Sequence, residues 1–137
     1  MAWTILDTNV YIGHWERGLY EDELKAIRQG SIIRHSSVVL SELRRGARDA
    51  RAQRLVQSLY RLATVQWEPT AEDWWDAARL VRKTGDAQGW DVVKRRECQN
   101  DALIALTARR HGAMVVTANV RDFTLLAKAT GITVVPL

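Results

Sequence analysis

Five short apolar runs recur along this chain, each separated from the next by stretches of helical spacing. That alternation limits the fold more than any other feature. The runs are Trp3-Thr4-Ile5-Leu6, Ile32-Ile33-Arg34-His35, Thr64-Val65-Gln66-Trp67, Met114-Val115-Val116-Thr117 and Thr133-Val134-Val135. Runs this short, bounded by turn residues, suit strands buried on both faces. Between them the spacing predicts helices over 9–17 and 19–28, one capped by Ser36 or Ser37 that runs to about Gly46, and one over 49–62. Further helices start near Pro69-Thr70 and cover 100–111 and 121–129. Tyr20, Leu24 and Ile27 share one helical face, as do Leu55, Leu59 and Leu62, and Thr70 and Asp73 are spaced as a capping box. Gly85 to Gly89 reads as the most loop-like segment. Strands alternating with helices, joined by right-handed crossovers, predict an α/β fold: a three-layer α/β/α sandwich around a mainly parallel sheet of about five strands. The 137 residues suit a single domain over 1–137 with a core large enough to need no covalent staple.

Composition narrows the partners. Cys98 is the only cysteine, so no internal disulfide forms, and a reducing, cytoplasmic location is expected. The first residues lack a basic n-region and Asp7 interrupts their apolar run, which argues against a secretory signal. No apolar run approaches the roughly 20 residues of a membrane helix. The net charge of +4 and pI of 9.6 give a modest bias toward polyanions. His14, His35 and His111 lack zinc-ligand spacing. Of the six tryptophans, Trp67, Trp74 and Trp75 cluster around one helix start, where core or interface packing is expected.

Three acids stand against apolar segments, where carboxylates rarely go without a partner. Asp7 ends the first strand run. Glu42 lies about one and a half turns into the helix after the second, and Asp101 opens the apolar helix that leads to the fourth. Thr117-Ala118-Asn119 follows that fourth strand. In open α/β sheets, sites form beyond the carboxyl ends of the strands, so all four segments can converge on one edge. Oxygen ligands there would suit Mg²⁺ or Mn²⁺, and without an ion at least one carboxyl pKa should rise. Taken singly, Asp7 and Asp101 could merely cap helices, and Glu42 could be a solvated surface residue.

Four stretches then fall in order: Leu6-Asp7-Thr8-Asn9-Val10, Ser41-Glu42-Leu43-Arg44-Arg45-Gly46, Asn100-Asp101-Ala102-Leu103-Ile104-Ala105, and Val116-Thr117-Ala118-Asn119-Val120-Arg121-Asp122-Phe123. With Gly131-Ile132, the valine strand and Pro136, this pattern resembles the PIN-domain ribonucleases over nearly the whole chain. It is most similar to the VapC-type toxins of bacterial toxin–antitoxin pairs. The resemblance implies an endoribonuclease dependent on Mg²⁺ or Mn²⁺, in which a metal-activated water hydrolyses the phosphodiester. It implies Asp7, Glu42 and Asp101 as metal-site acids, with Asn119 at a fourth position where many relatives carry Asp. Asp122, three residues on, either reaches the same edge or serves only as a helix N-terminal acid. Thr8, Asn9 and Thr117 match supporting positions. A cognate antitoxin, an RNA substrate and a homodimer are the partners it implies.

On the substrate side, Arg44, Arg48 and Arg51 fall at i, i+4, i+7, and Lys94-Arg95-Arg96 precede the Asp101 helix; either set could contact phosphates or be solvated. Trp15, Trp90 and His14 could stack on an unpaired base, although packing is the simpler role for the tryptophans. Rival classes fit less well. A phosphoaspartyl enzyme of the haloacid-dehalogenase type wants a second Asp where Asn9 stands, and no Gly-rich phosphate loop follows the first strand. Two alternatives stay open within the resemblance: an RNA-processing nuclease outside any toxin pair, and a weakened binding module.

Overall fold

Successive side chains of a strand point to opposite faces of a sheet, and here sequence neighbours enter different cores. The computed structural model describes residues 2–137. Ile5 and Val115 lie in one apolar cluster, while the residues that follow them, Leu6 and Val116, lie in another. The strands carrying them are therefore covered on both faces, and the molecule has three layers, as expected.

The strands are β1 (Ala2–Leu6), β2 (Ser31–Ser36), β3 (Gln66–Trp67), β4 (Met114–Thr117) and β5 (Val134–Pro136), all parallel, in the order β3-β2-β1-β4-β5. The chain steps outward from β1 through β2 to β3, then crosses back to place β4 on the other side of β1. Winding reverses between β1 and β4. The carboxyl ends of those two strands thus flank the crevice in which open parallel sheets bind ligands.

Helices α1 (Thr8–Arg17) and α2 (Glu21–Gly30) link β1 to β2; α3 (Ser37–Gly46) and α4 (Ala50–Leu62) link β2 to β3. Helices α5 (Ala71–Gln88) and α6 (Val92–His111) make the long return to β4, and α7 (Val120–Thr130) leads to β5. The smaller core sets Leu6 and Val116 against Val10 of α1 and Leu24 of α2. The larger core joins α3, α5, α6 and α7 around Ile5, Val115, Leu103, Ile104 and Phe123. Residues Ala102–Ala108 of α6 are all buried, so this helix runs through the core rather than over it. The Thr70/Asp73 capping box forms as expected, and Arg110 adds two hydrogen bonds to the buried Asp73 carboxylate.

Four expectations are corrected. Asp101 does not open its helix: α6 begins at Val92 under the cap of Asp91, whose carboxylate accepts from Lys94 N at 2.8 Å, and Asp101 sits half-way along. The first half of α6 is polar and carries exposed Val92 and Val93, so it lacks the apolar period that marks the second half. Gly85 is helical, within α5, because the side chain of Arg95 lies across it; a Cβ there would meet Arg95 Cζ at 2.9 Å. Only Gly89 makes the turn, with φ 69°. On α4 the fully buried residue is Val56, with half-buried Leu59 packed against the same core, while Leu62 is 75% exposed. Of the tryptophan trio, Trp67 is buried and stacks on His111 at 4.0 Å, but Trp74 and Trp75 are exposed, which removes the core role for them and leaves the interface one.

Phe123 is wholly buried beneath α7, one residue after Asp122. Truncating a buried phenylalanine removes transfer energy and leaves a cavity. Phe123→Ala should therefore lower unfolding stability by about 3–5 kcal/mol, read from the urea midpoint at unchanged slope.

Candidate active site

Asp7 leaves β1 at its carboxyl end and becomes the N-cap of α1, accepting from Thr8 N at 2.8 Å. That fixes one carboxylate oxygen. The other, Oδ2, accepts from Thr117 Oγ1 at 2.7 Å and from Asn9 Nδ2 at 3.1 Å. Thr117 is the last residue of β4, so this bond spans the two strands that flank the crevice. Asn9 strengthens the span, since its Oδ1 accepts from Ala118 N at 3.1 Å. The hydroxyl of Thr8 turns the other way and donates to Glu42 Oε1 at 2.8 Å, drawing α3 to the same point.

From Thr117 the network continues. Its hydroxyl oxygen accepts from Asn119 N at 2.9 Å. The Asn119 side chain makes no cap bond for α7. Its amide donates instead to Asp101 Oδ2 at 3.3 Å and to Asp122 Oδ2 at 3.1 Å. Lys94 Nζ closes the chain on Asp122 Oδ2. One hydrogen-bonded path therefore runs from Glu42 through Thr8, Asp7, Thr117 and Asn119 to Asp101, Asp122 and Lys94. Every expected acid and supporting residue lies on it, and so does Asp122, which is both a first-turn acid of α7 and a member of the cluster.

The electrostatics are those of crowded carboxylates. Burial pushes the Asp101 carboxyl up to about 8, and the charges of Asp7, Glu42 and Asp122 add to the rise. Burial also lifts Asp7 to about 6, against the lowering effect of its bonds from Thr117 and Thr8. Unlike Asp7, whose two oxygens are both held, Asp101 accepts one long bond from an amide. Among the described residues no three His, Cys, Asp or Glu side chains stand close enough to grip one ion together. The donor set is nonetheless all oxygen and short of cations. It suits a hard divalent ion that touches one or two carboxylates and reaches the rest through its own waters, the habit of Mg²⁺.

The expected phosphate contacts fare differently. Lys94 points inward to Asp122 and lies 5.4 Å from the centre of the Trp90 ring. Arg95 is spent on the α5–α6 corner, donating to Trp90 O and Asp86 Oδ1. Arg96 is exposed. Arg44, Arg48 and Arg51 form no stripe, because α3 ends at Gly46, Arg48 lies in the link to α4, and Arg51 donates to Trp15 O. Trp15 and Trp90 pack against the larger core, and His14 Nδ1 bonds to Leu19 O. Lys94 was within reach of sequence reasoning as a site residue. Once α6 starts at the Asp91 cap, Lys94, Cys98 and Asp101 fall at i, i+4, i+7 on one face.

The PIN domain family model matches residues 4–129. The chain belongs to the PIN domain family, whose members are generally nucleases. Among solved structures it is similar to VapBC2 from Rickettsia felis, solved bound to a DNA fragment from its promoter, at a TM-score of 0.68 and 21% identity over 98% of each chain. DNA-bound VapBC from Salmonella typhimurium is similar at a TM-score of 0.67 and 22% identity, over 99% of this chain and 98% of that one. FitAB bound to the IR36 DNA fragment aligns at 0.67 and 20% identity, covering 97% and 94%. These likenesses establish the shared fold. Sequence comparison with curated proteins gives no match.

The raised carboxyl pKa values set a pH dependence. Between about 4 and 8 the folded protein holds protons on Asp7 and Asp101 that the unfolded chain, with carboxyls near the ordinary 3.8, has lost. The stability these two carboxyls contribute is therefore greatest below that window and falls as pH rises through it. Burial lowers the pKa of His35 and His111, which act with opposite sign below about pH 6.5. The chelator-treated protein should lose thermal stability from pH 6.5 to 8, and Asp101→Asn should remove most of that slope while raising the melting temperature at pH 8. Equal slopes for the two proteins in a pH series of thermal melts would contradict the crowding.

Proposed function

We propose that this protein is a divalent-metal-dependent endoribonuclease of the VapC toxin type, with Asp7, Glu42 and Asp101 as the metal-site acids. The observation that carries the proposal is the single network drawing those acids from three separate elements to the β1/β4 crevice, with Asp101 held at a pKa of about 8. A carboxyl that stays protonated at neutral pH in the absence of a cation is one that a cation would ionise. Mg²⁺ or Mn²⁺ bound there would acidify a water and polarise a phosphoryl oxygen. The protein's own groups do the positioning. Thr8 and Thr117 hold Asp7 and Glu42 in fixed rotamers, Asn119 steers Asp101, and Asn9 locks the loop after β4 to the start of α1. Exposed Arg44, Arg48 and Arg96 add positive charge to a protein of pI 9.6, which favours an RNA backbone without selecting a sequence.

The partner follows from a different surface. An apolar groove of about 250 Å³ runs between α1, α2 and α4, lined by Tyr11, Trp15, Leu24, Leu55, Leu59 and Leu62. Similar solved chains come from VapBC and FitAB assemblies. With the motif resemblance, this supports an antitoxin that lays an apolar segment into the groove. The competing role, an RNA-processing nuclease outside any toxin pair, has the same site and differs only in its partner.

Asp7→Asn, Glu42→Gln and Asp101→Asn should each reduce cleavage of a single-stranded RNA by roughly 100-fold or more, the scale set by loss of a charge-stabilising group. A chelator should abolish cleavage and Mn²⁺ restore it. Unchanged rates in Asp7→Asn and Asp101→Asn would overturn the mechanism. Induced expression should arrest growth, with rescue by the adjacent upstream reading frame, and Leu59→Asp with Leu62→Asp should weaken that rescue while leaving RNA cleavage intact. Growth arrest without any such rescue would favour the processing role.

A further inference from the structure

Asp122 is nearly sealed, with 7% of its side chain exposed, yet its carboxylate is not left to the metal site. Among the described residues Lys94 is the only cation paired with it. Lys94 is not a surface lysine that happens to lie nearby. Its stem rises from the same face of α6 as Asp101, its ammonium sits over the Trp90 ring, and Trp90 is itself packed against the core. The bond it donates to Asp122 holds the ammonium above the ordinary lysine range. Asn119 occupies the remaining approach. Its amide donates to Asp101 Oδ2 and Asp122 Oδ2, so each of those oxygens already has an N–H partner.

Four carboxylates at one point would attract two divalent ions, the arrangement common among phosphodiester-cleaving sites. Here the two oxygens on the Asp122 side already accept from the Asn119 amide, and the Asp122 one from the Lys94 ammonium as well. We propose that Lys94 is a resident cation of this site, standing on Asp122 in place of a second divalent ion, so that the site holds one exchangeable ion that touches one or two of Asp7, Glu42 and Asp101 and reaches the rest through its waters. This rests on the metal site proposed above and adds its stoichiometry. It also gives Lys94 a positioning role, since a monovalent charge on Asp122 offsets the repulsion felt by Asp101 without competing for its oxygens.

Calorimetric titration of the chelator-treated protein with Mn²⁺ tests it, with no need of an RNA substrate. The wild type should bind one Mn²⁺ per chain. Lys94→Met should gain a second, weaker Mn²⁺ and bind the first roughly tenfold more tightly, the effect of removing one positive charge a few ångströms away. Lys94→Arg, which keeps the charge, should still bind one. The double substitution Lys94→Met, Asp122→Asn should lose the second ion again, which ties the gain to that carboxylate. Thermal melts of each variant verify folding. One Mn²⁺ in the wild type and one, at unchanged affinity, in a folded Lys94→Met would overturn the role of Lys94 while leaving the metal site standing. No Mn²⁺ in either protein would overturn both.

Discussion

The hydrogen bond from Thr117 to Asp7 is the joint on which this molecule depends. It joins the last residue of β4 to the residue after β1, at the one place where the sheet changes its direction of winding. Asp7 also caps α1, and Thr8 reaches Glu42 from the same turn. A single carboxylate therefore sets the start of a helix, the pairing of two central strand ends and the position of a second acid. Its elevated pKa reflects what that costs: the burial that makes the joint rigid also opposes the charge it carries.

Much of this was legible in the sequence. The strand runs announced themselves by length and apolarity, and β4 falls at Met114–Thr117 as expected. Topology brings the residues after β1 and β4 together beyond the sheet edge, and the motif resemblance singles out Asp7 and Asn119 among them. Glu42 lies one and a half turns into α3, as its spacing indicates. What sequence missed was polar. The first half of α6 has exposed valines and charged residues in place of a periodic stripe, so spacing marks only the buried half and puts Asp101 at its start. That error gave Lys94 the wrong partner. Placed before a helix, it reads as a phosphate contact; placed on the helix, it faces Asp122 in the site. Gly85 misled for a related reason, since glycine usually breaks a helix and here only makes room for Arg95.

Side-chain economy distinguishes the two ends of the network. At the Asp7 end every oxygen has short donors, and the geometry is fixed by backbone and hydroxyl groups. At the Asp101 end one amide serves two carboxylates, at 3.3 and 3.1 Å, and a lysine carries the balance of charge. Rigidity and adjustability are thus divided between opposite walls of one crevice. Hydrogen bonds in such a network are worth more together than apart, because each holds the orientation its neighbour needs.

The order in which the chain supplies these parts has a consequence for when the site exists. Asp7 and Glu42 come early, but the strand that completes the crevice, β4, is among the last elements made and inserts beside the first. The α6 helix that brings Asp101 must also be buried before it can hold its place. A chain growing from its amino end carries two of the acids for most of its synthesis with nothing to assemble them against. Whatever chemistry the crevice performs is withheld from the nascent protein until β4 has emerged and docked beside β1, a delay written into the topology itself.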